Sequence, residues 1–186
     1  MLLFTAIQVN DGEARQSELD RLLGEISAGD RTALEQLYRQ THGAVYGFAL
    51  SVLKNAHDAE DVLHDCYVAV WHSAGSYRSQ GKPMAWLMTV TRNLCLQLLR
   101  QRKKQSELPQ EDWEPYLQSR ESVTPEDRLI LTACMQRLSD EERQIVTLHA
   151  VSGFRHREIA ALLELPLPTV LSKYSRAIKK LKQYLQ

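Results

Sequence analysis

The sequence has little of what a membrane-spanning, secreted or disulfide-bonded protein needs. It contains no run of about 18 uninterrupted apolar residues, which argues against a transmembrane helix. Residues 1–9 are too short for a signal peptide and lack its basic start, so we expect a cytoplasmic protein. The three cysteines, Cys66, Cys95 and Cys134, are odd in number and widely separated. They offer neither a disulfide framework nor a Cys-x-x-Cys metal site, and we interpret them as buried packing residues.

Glycine and proline are also scarce, with 8 and 6 residues respectively, and they stand between periodic segments. No segment sustains the alternation of apolar and polar residues that is typical of a strand. The sequence therefore predicts an all-α fold.

An excess of charge of either sign is absent as well, since 23 basic residues balance 23 acidic ones. The charges are segregated along the chain, however. Basic residues without acids fill 92–104 and 173–182, whereas acids gather in 58–65 and 107–121. Two basic patches on a neutral chain indicate two contacts with a polyanion and one surface that serves another partner.

The pattern divides the chain into two small helical domains joined by an extended linker. The segment 106–124 is acidic, carries Pro109 and Pro115 and loses its helical periodicity, which is typical of a linker. We expect a tail over 1–16, a first domain over 17–105 and a second domain over 125–186. Predicted helices begin near Ser17, after a cap at Asp30, and at Asp58, Pro83, Pro125, Asp140, Arg155 and Pro168.

The last two predicted helices, separated by a turn at 164–167, form a helix-turn-helix pattern. On the final helix the apolar residues at helical spacing face the domain core: Val170, Tyr174, Ala177 and Leu181. Another face carries Thr169, Ser172, Lys173 and Arg176, which supply donors for phosphates and base edges. The alternative interpretation is a solvated basic face, which the preceding helix and turn disfavour.

A second candidate nucleic-acid surface lies on the fourth predicted helix. Trp86, Arg92 and Asn93 precede the basic end at 100–104, and the loop before the helix carries Tyr77 and Arg78. Aromatic rings, an amide and cations are the groups that hold single-stranded nucleic acid. For Trp86 a place in the core is the favoured alternative.

Three segments resemble the sigma-70 family of RNA polymerase sigma factors, in its extracytoplasmic-function (ECF) group. They are Asp58-Ala59-Glu60-Asp61-Val62-Leu63-His64-Asp65, the string Pro83-Met84-Ala85-Trp86-Leu87-Met88-Thr89-Val90-Thr91-Arg92-Asn93, and the stretch 138–185. The resemblance extends over nearly the whole chain after Ser17, in the family's order. It implies that the first domain is region 2, which binds the beta-prime clamp helices and melts the −10 element. The second domain would be region 4, which binds the beta flap and the −35 element.

The resemblance also implies residue roles. The surface for polymerase core would include Asp58, Glu60, Asp61 and Asp65. A pocket for a flipped base and the adjacent melted strand would involve Ser73, Tyr77, Arg78, Met88, Thr89, Val90, Arg92 and Asn93. Contacts with the −35 duplex would come from His149, His156, Arg157, Thr169, Leu171, Ser172, Lys173 and Arg176. The acidic linker resembles the family's segment that threads toward the RNA exit path, and an anti-sigma factor, commonly membrane-anchored, would cover both domains.

Two residues depart from the family pattern. Leu171 stands where a basic residue is usual and either contacts a thymine methyl or weakens the site, and Pro168 stands where glycine is usual.

Two other classes of protein are weaker alternatives. A stand-alone helix-turn-helix regulator leaves 58–104 unexplained. An enzyme using His64, Asp65, Cys66 and His72 lacks a phosphate loop or a Ser/His/Asp arrangement, and Cys66 is off the face of the two histidines. We therefore expect no catalytic residues, metal, cofactor or small-molecule substrate.

Overall fold

The computed structural model describes residues 2–79, 81–105 and 135–184, with side chains for 14–79, 81–103 and 135–183. Within these ranges the chain forms seven α-helices and no strand, as the composition predicts. They are α1 (Leu2–Ser27), α2 (Arg31–Leu53), α3 (Ala56–Ser73), α4 (Pro83–Gln105), α5 (Asp140–Ala150), α6 (His156–Leu163) and α7 (Leu167–Tyr184). The predicted linker, the helix from Pro125 and Cys134 lie outside the described residues.

Side-chain caps explain where several helices begin. Asp30 accepts hydrogen bonds from the backbone N–H groups of Thr32 at 2.7 Å and Ala33 at 3.3 Å, as predicted. Ser139 and Glu142 form the predicted capping box at α5, in which each side chain accepts the other residue's backbone N–H, at 3.3 and 2.9 Å. These caps satisfy N–H groups that have no partner inside the helix.

Three predicted helix starts were wrong, and one predicted loop contains a short helical turn. Helix α1 begins at Leu2, so most of the predicted tail 1–16 is helical, because this segment contains no proline and a single glycine, Gly12. Helix α3 begins at Ala56, two residues before the predicted start at Asp58, because Asn55 provides the cap and accepts the Asp58 N–H at 3.0 Å. The predicted loop before the fourth helix contains a 3-10 turn at Ala74–Ser76. Helix α7 begins at Leu167, one residue before Pro168, which lies in its first turn.

One buried core contains side chains from both the N-terminal and the C-terminal helices. Helix α2 packs against α1, α3 and α4 in an N-terminal half (α1–α4), and α5 packs against α7 in a C-terminal half (α5–α7). Helix α2 also contacts α5, and α4 contacts α6. One cluster of buried side chains accordingly contains Leu22, Phe48 and Met88 together with Ile145 and Phe154. The two predicted domains are present but pack directly against each other.

None of the described helices combines the length and the apolar character that a membrane span requires.

Candidate nucleic-acid interface

Helices α6 and α7 form the predicted helix-turn-helix, and a tight turn sets the angle between them. Glu164 adopts the left-handed conformation with φ 58°, and its N–H and that of Leu165 bond back to carbonyls of α6. This is the geometry that ends a helix while satisfying its last carbonyls. Pro166 O then accepts the N–H groups of Thr169 and Val170 at 2.9 and 3.1 Å, which starts α7.

The two faces of α7 divide as expected. Val170 and Ala177 are fully buried, whereas Ser172 and Arg176 are exposed and Thr169 is half-buried. Leu171 is 46% exposed, which makes it one of the few large apolar side chains that the described residues leave open to solvent. The structure therefore brings the predicted −35 residues of α7 together on its first three turns.

Lys173 differs from its neighbours because an acid from another helix already pairs with it. Its Nζ lies 2.5 Å from Glu141 Oε2, and Lys180 Nζ lies 2.6 Å from Glu142 Oε2. Both acids belong to the first turn of α5. The basic run 173–182 was expected to be unopposed, and this was wrong in three dimensions because α5 packs along α7 and supplies these carboxylates.

His149 and His156 lie in a ring cluster with Tyr174. Their rings stack at a centroid distance of 4.6 Å, and each ring packs edge-on against Tyr174, at 4.9 and 4.7 Å. His149 Nδ1 is 2.8 Å from the Phe154 carbonyl oxygen. Burial, reinforced by the nearby His149, lowers the pKa of His156, so its ring stays neutral to lower pH than usual. Of the three predicted contacts before α7, the exposed Arg157 is the best placed to reach a phosphate.

The predicted pocket for a flipped base lies between α1, the 3-10 turn and α4. The Tyr77 ring packs against Trp86 at a centroid distance of 5.2 Å, and its hydroxyl donates to the Asp20 carboxylate. Trp86 is half-buried against the core, in agreement with the favoured interpretation. Tyr77 is therefore held by two partners, and a base that stacks on it must share this ring with Trp86.

The other residues predicted for this pocket differ in accessibility. Arg78, Thr89 and Asn93 are exposed, and Ser73, Val90 and Arg92 are half-buried. Met88 is fully buried inside the core cluster, because it occupies the side of α4 that faces the other helices. No part of its side chain reaches the surface in this arrangement of the chain, and its role in the pocket stays a prediction.

Arg92 makes a contact that the sequence did not indicate. Its Nη1 lies 3.1 Å from Oε1 of Glu164, the residue at the turn of the helix-turn-helix. A cation predicted to contact the melted strand is thus neutralised by an acid 72 residues away in the chain.

A groove between α3 and α4 collects two of the residues predicted to bind polymerase. It has a volume of about 340 Å³, and its walls include Asp61 and Asp65 from α3 and Gln97 and Gln101 from α4. Glu60 is exposed nearby on α3. The sequence analysis missed the two glutamines, although their spacing of one helical turn was a usable signal.

Asp58 takes no part in this groove. It is 5% exposed and forms a hydrogen-bonded ion pair with Arg102 of α4. Burial raises the pKa of the Asp58 carboxyl, against the opposing effect of Arg102. In this arrangement the carboxylate points inward and links α3 to α4, and its role at the polymerase surface stays a prediction.

Two described cysteines are packing residues, as predicted. Cys66 and Cys95 are fully buried, and burial raises the pKa of their thiols to about 11 and about 12. In the described part of the chain, no three histidine, cysteine or acidic side chains are grouped for a metal ion.

Comparison with known proteins decides the family. Residues 37–105 match the model of sigma-70 region 2, and residues 128–181 match that of sigma-70 region 4, in the family's order. The chain belongs to the sigma-70 family. ECF RNA polymerase sigma factors named SigK place it in the ECF group. The one from Mycobacterium ulcerans (strain Agy99) is 27% identical, with 92% of this chain and 95% of the relative covered. That from Mycobacterium sp. (strain KMS) is 29% identical, with 91% of each covered.

Two solved structures share the fold of this sigma factor. CnrH in complex with the cytosolic domain of CnrY matches with a TM-score of 0.63 and 23% identity, over 90% of this chain and 97% of CnrH. RpoE in complex with the anti-sigma factor NepR from Bartonella quintana matches with a TM-score of 0.67 and 23% identity, over 81% of this chain and 95% of RpoE. The chain is therefore an alternative sigma factor, which binds RNA polymerase core and directs transcription from specific promoters.

Proposed function

We propose that this sigma factor binds polymerase core through the groove between α3 and α4. The observation that carries the assignment is that Asp61 and Asp65 line one wall of an open groove whose other wall presents amides. Carboxylates and amides together accept and donate hydrogen bonds, which suits basic and polar side chains on a partner helix. The beta-prime clamp helices are the partner that the family implies for this surface.

Charge reversal tests the polymerase surface directly. Asp61→Arg with Asp65→Arg should abolish comigration with core polymerase in gel filtration, while the fold, followed by circular dichroism, stays intact. Glu18→Arg is the control, because it reverses the charge of an acid on α1 that does not line the groove. If the double variant binds core as tightly as the control does, the groove is not the docking site.

Both halves of the chain contact the promoter. The first three turns of α7, with Leu171, Ser172, Lys173 and Arg176, approach the −35 duplex, and the beta flap binds the same half of the molecule. The surface of α4 around Thr89 and Asn93, with the loop at Tyr77 and Arg78, receives the melted −10 strand. Most of these side chains are exposed, Lys173 and Tyr77 are half-buried, and the apolar face of α7 is buried in the core, which supports this division.

Asn93 provides the sharpest test of the −10 assignment. It is exposed on α4, and its amide offers both a donor and an acceptor to a base edge. Asn93→Ala should impair promoter opening, measured by permanganate reactivity of thymines, while leaving affinity for core unchanged. Normal opening by this variant would show that the pocket lies elsewhere.

We also propose that an anti-sigma factor binds this chain. RpoE, which shares this fold, was solved with an anti-sigma factor bound. We expect a partner of this kind, membrane-anchored, to hold the sigma factor until a signal releases it, and we place the sigma factor itself in the cytoplasm and, when active, on the nucleoid. It carries out no chemistry of its own and takes no small-molecule substrate. Affinity purification from unstressed cells should recover the anti-sigma factor, and recovery with polymerase alone would refute this part.

A further inference from the structure

A carboxylate on α1 binds the loop that carries part of the proposed −10 surface. The Tyr77 hydroxyl donates a hydrogen bond to the Asp20 carboxylate, 57 positions away in the chain. Asp20 itself is half-buried, and its neighbours on α1, Leu19 and Leu22, are fully buried in the core. The hydrogen-bond acceptor therefore belongs to a helix that core packing holds in place.

The backbone leading to Tyr77 is fixed by hydrogen bonds of the 3-10 turn. The Tyr77 N–H donates to the Ala74 carbonyl oxygen at 3.0 Å, and Ser76 Oγ donates to the Ser73 carbonyl oxygen at 2.7 Å. Ala74 is buried, which anchors this turn against the core. These bonds fix the position of the Tyr77 backbone, and the direction of the ring then depends on the contacts of the side chain.

Two contacts of different kinds act on the Tyr77 ring. Its packing against Trp86 is tilted by 55° at a centroid distance of 5.2 Å, and such ring contacts tolerate sliding. The hydrogen bond to Asp20 is directional, and it acts at the end of the ring farthest from the backbone. The carboxylate therefore selects one orientation of a ring that Trp86 alone would leave adjustable.

We propose, on the basis of the −10 assignment above, that Asp20 is a positioning residue for promoter opening, which fixes the Tyr77 ring for stacking on an extruded base. A ring that already has its bound orientation loses less conformational freedom when the base arrives. Because the hydroxyl proton is donated to Asp20, Tyr77 offers the base a ring face, and the exposed Asn93 is left to contact the base edge. The match to sigma-70 region 2 begins at residue 37, so Asp20 lies outside the matched segment.

Asp20→Ala tests this role in the reconstituted holoenzyme, on a promoter that the natural chain opens. The opening rate, followed by the time course of permanganate reactivity of thymines, should fall about fivefold, which corresponds to about 1 kcal/mol. Affinity for core and for a −35 duplex should stay unchanged. Glu18→Ala is the matched control, because Glu18 is also a half-buried acid of α1 but pairs with Arg21, and it should open the promoter at the natural rate.

A double-mutant cycle tests whether Asp20 acts through the Tyr77 hydroxyl. Tyr77→Phe keeps the ring and removes the hydroxyl, so it should slow opening about as much as Asp20→Ala does. In the double variant the two losses should not add, because each substitution removes the same hydrogen bond. A purely structural role of Asp20 in α1 would instead give a loss that adds to that of Tyr77→Phe.

Two results would overturn the positioning role. One is natural opening by Asp20→Ala, and the other is an equal loss from Asp20→Ala in the natural and Tyr77→Phe backgrounds. Tyr77→Ala separates this role from the −10 assignment on which it rests. Slow opening by Tyr77→Ala together with natural opening by Asp20→Ala refutes the positioning role alone, whereas natural opening by Tyr77→Ala refutes both.

Discussion

Neutralising Glu141 should strengthen binding to a −35 duplex, because this acid pairs with Lys173 on the recognition helix. The side chain of Lys173 is 22% exposed and that of Glu141 is 47% exposed, and their charged atoms lie 2.5 Å apart. A partly exposed ion pair contributes about 0.2–1 kcal/mol. Since a phosphate must break this pair to bind Lys173, Glu141→Gln should raise the affinity by roughly 1.4- to 5-fold.

A double-mutant cycle separates this effect from the general repulsion between Glu141 and DNA. Fluorescence anisotropy with a labelled −35 duplex would measure the gain from Glu141→Gln in the natural chain and in Lys173→Ala. The gain should be clearly smaller without Lys173, and Lys173→Ala should reduce the slope of log affinity against log salt by about 0.9. An equal gain in both backgrounds would refute the assignment of Lys173 as a phosphate contact.

Three further predictions concern stability and specificity. Arg102→Ala should reduce the free energy of unfolding by about 3 kcal/mol in urea titrations, because it leaves the buried Asp58 carboxylate unpaired, whereas the exposed Arg100→Ala should change it by less than about 0.5 kcal/mol. Burial alone would raise the pKa of Glu142, but Lys180 and the Ser139 cap outweigh burial and lower it. A lowered pKa in the folded state stabilises the fold at pH values above the ordinary carboxyl range. This stability should be lost as the pH falls through the lowered pKa. Acid unfolding should therefore lose part of its pH dependence in Glu142→Gln, and an unchanged profile would contradict the assignment. A contact between Leu171 and a thymine methyl predicts that replacing this thymine by uracil lowers the affinity about fourfold in the natural chain and leaves it unchanged in Leu171→Ala.

Local patterns predicted much of the fold, because helix caps and amphipathic periodicity act over a few residues. The cap at Asp30, the capping box at Ser139 and the buried face of α7 with Val170 and Ala177 are confirmed in the structure. These features depend on neighbours within about one or two helical turns, which a sequence displays directly.

The missed features depend on residues that are distant in the chain. The pairing of Arg92 with Glu164 joins positions 72 apart, and the burial of Asp58 requires Arg102, 44 positions away. Both arise from helix packing, and a charge pattern does not reveal which acids will be covered. The burial of Met88 was missed for the same reason, since the resemblance names positions and does not report which side of α4 the rest of this chain covers.

Promoter-dependent transcription by the reconstituted holoenzyme tests the central claim most directly. Purified core polymerase with this chain, supplied with fragments of its own genome, should give discrete transcripts whose start sites share common −10 and −35 sequences. The Asp61→Arg, Asp65→Arg variant should give none of these transcripts, and Glu18→Arg should give them all. The absence of any transcript that depends on the natural chain would contradict the account.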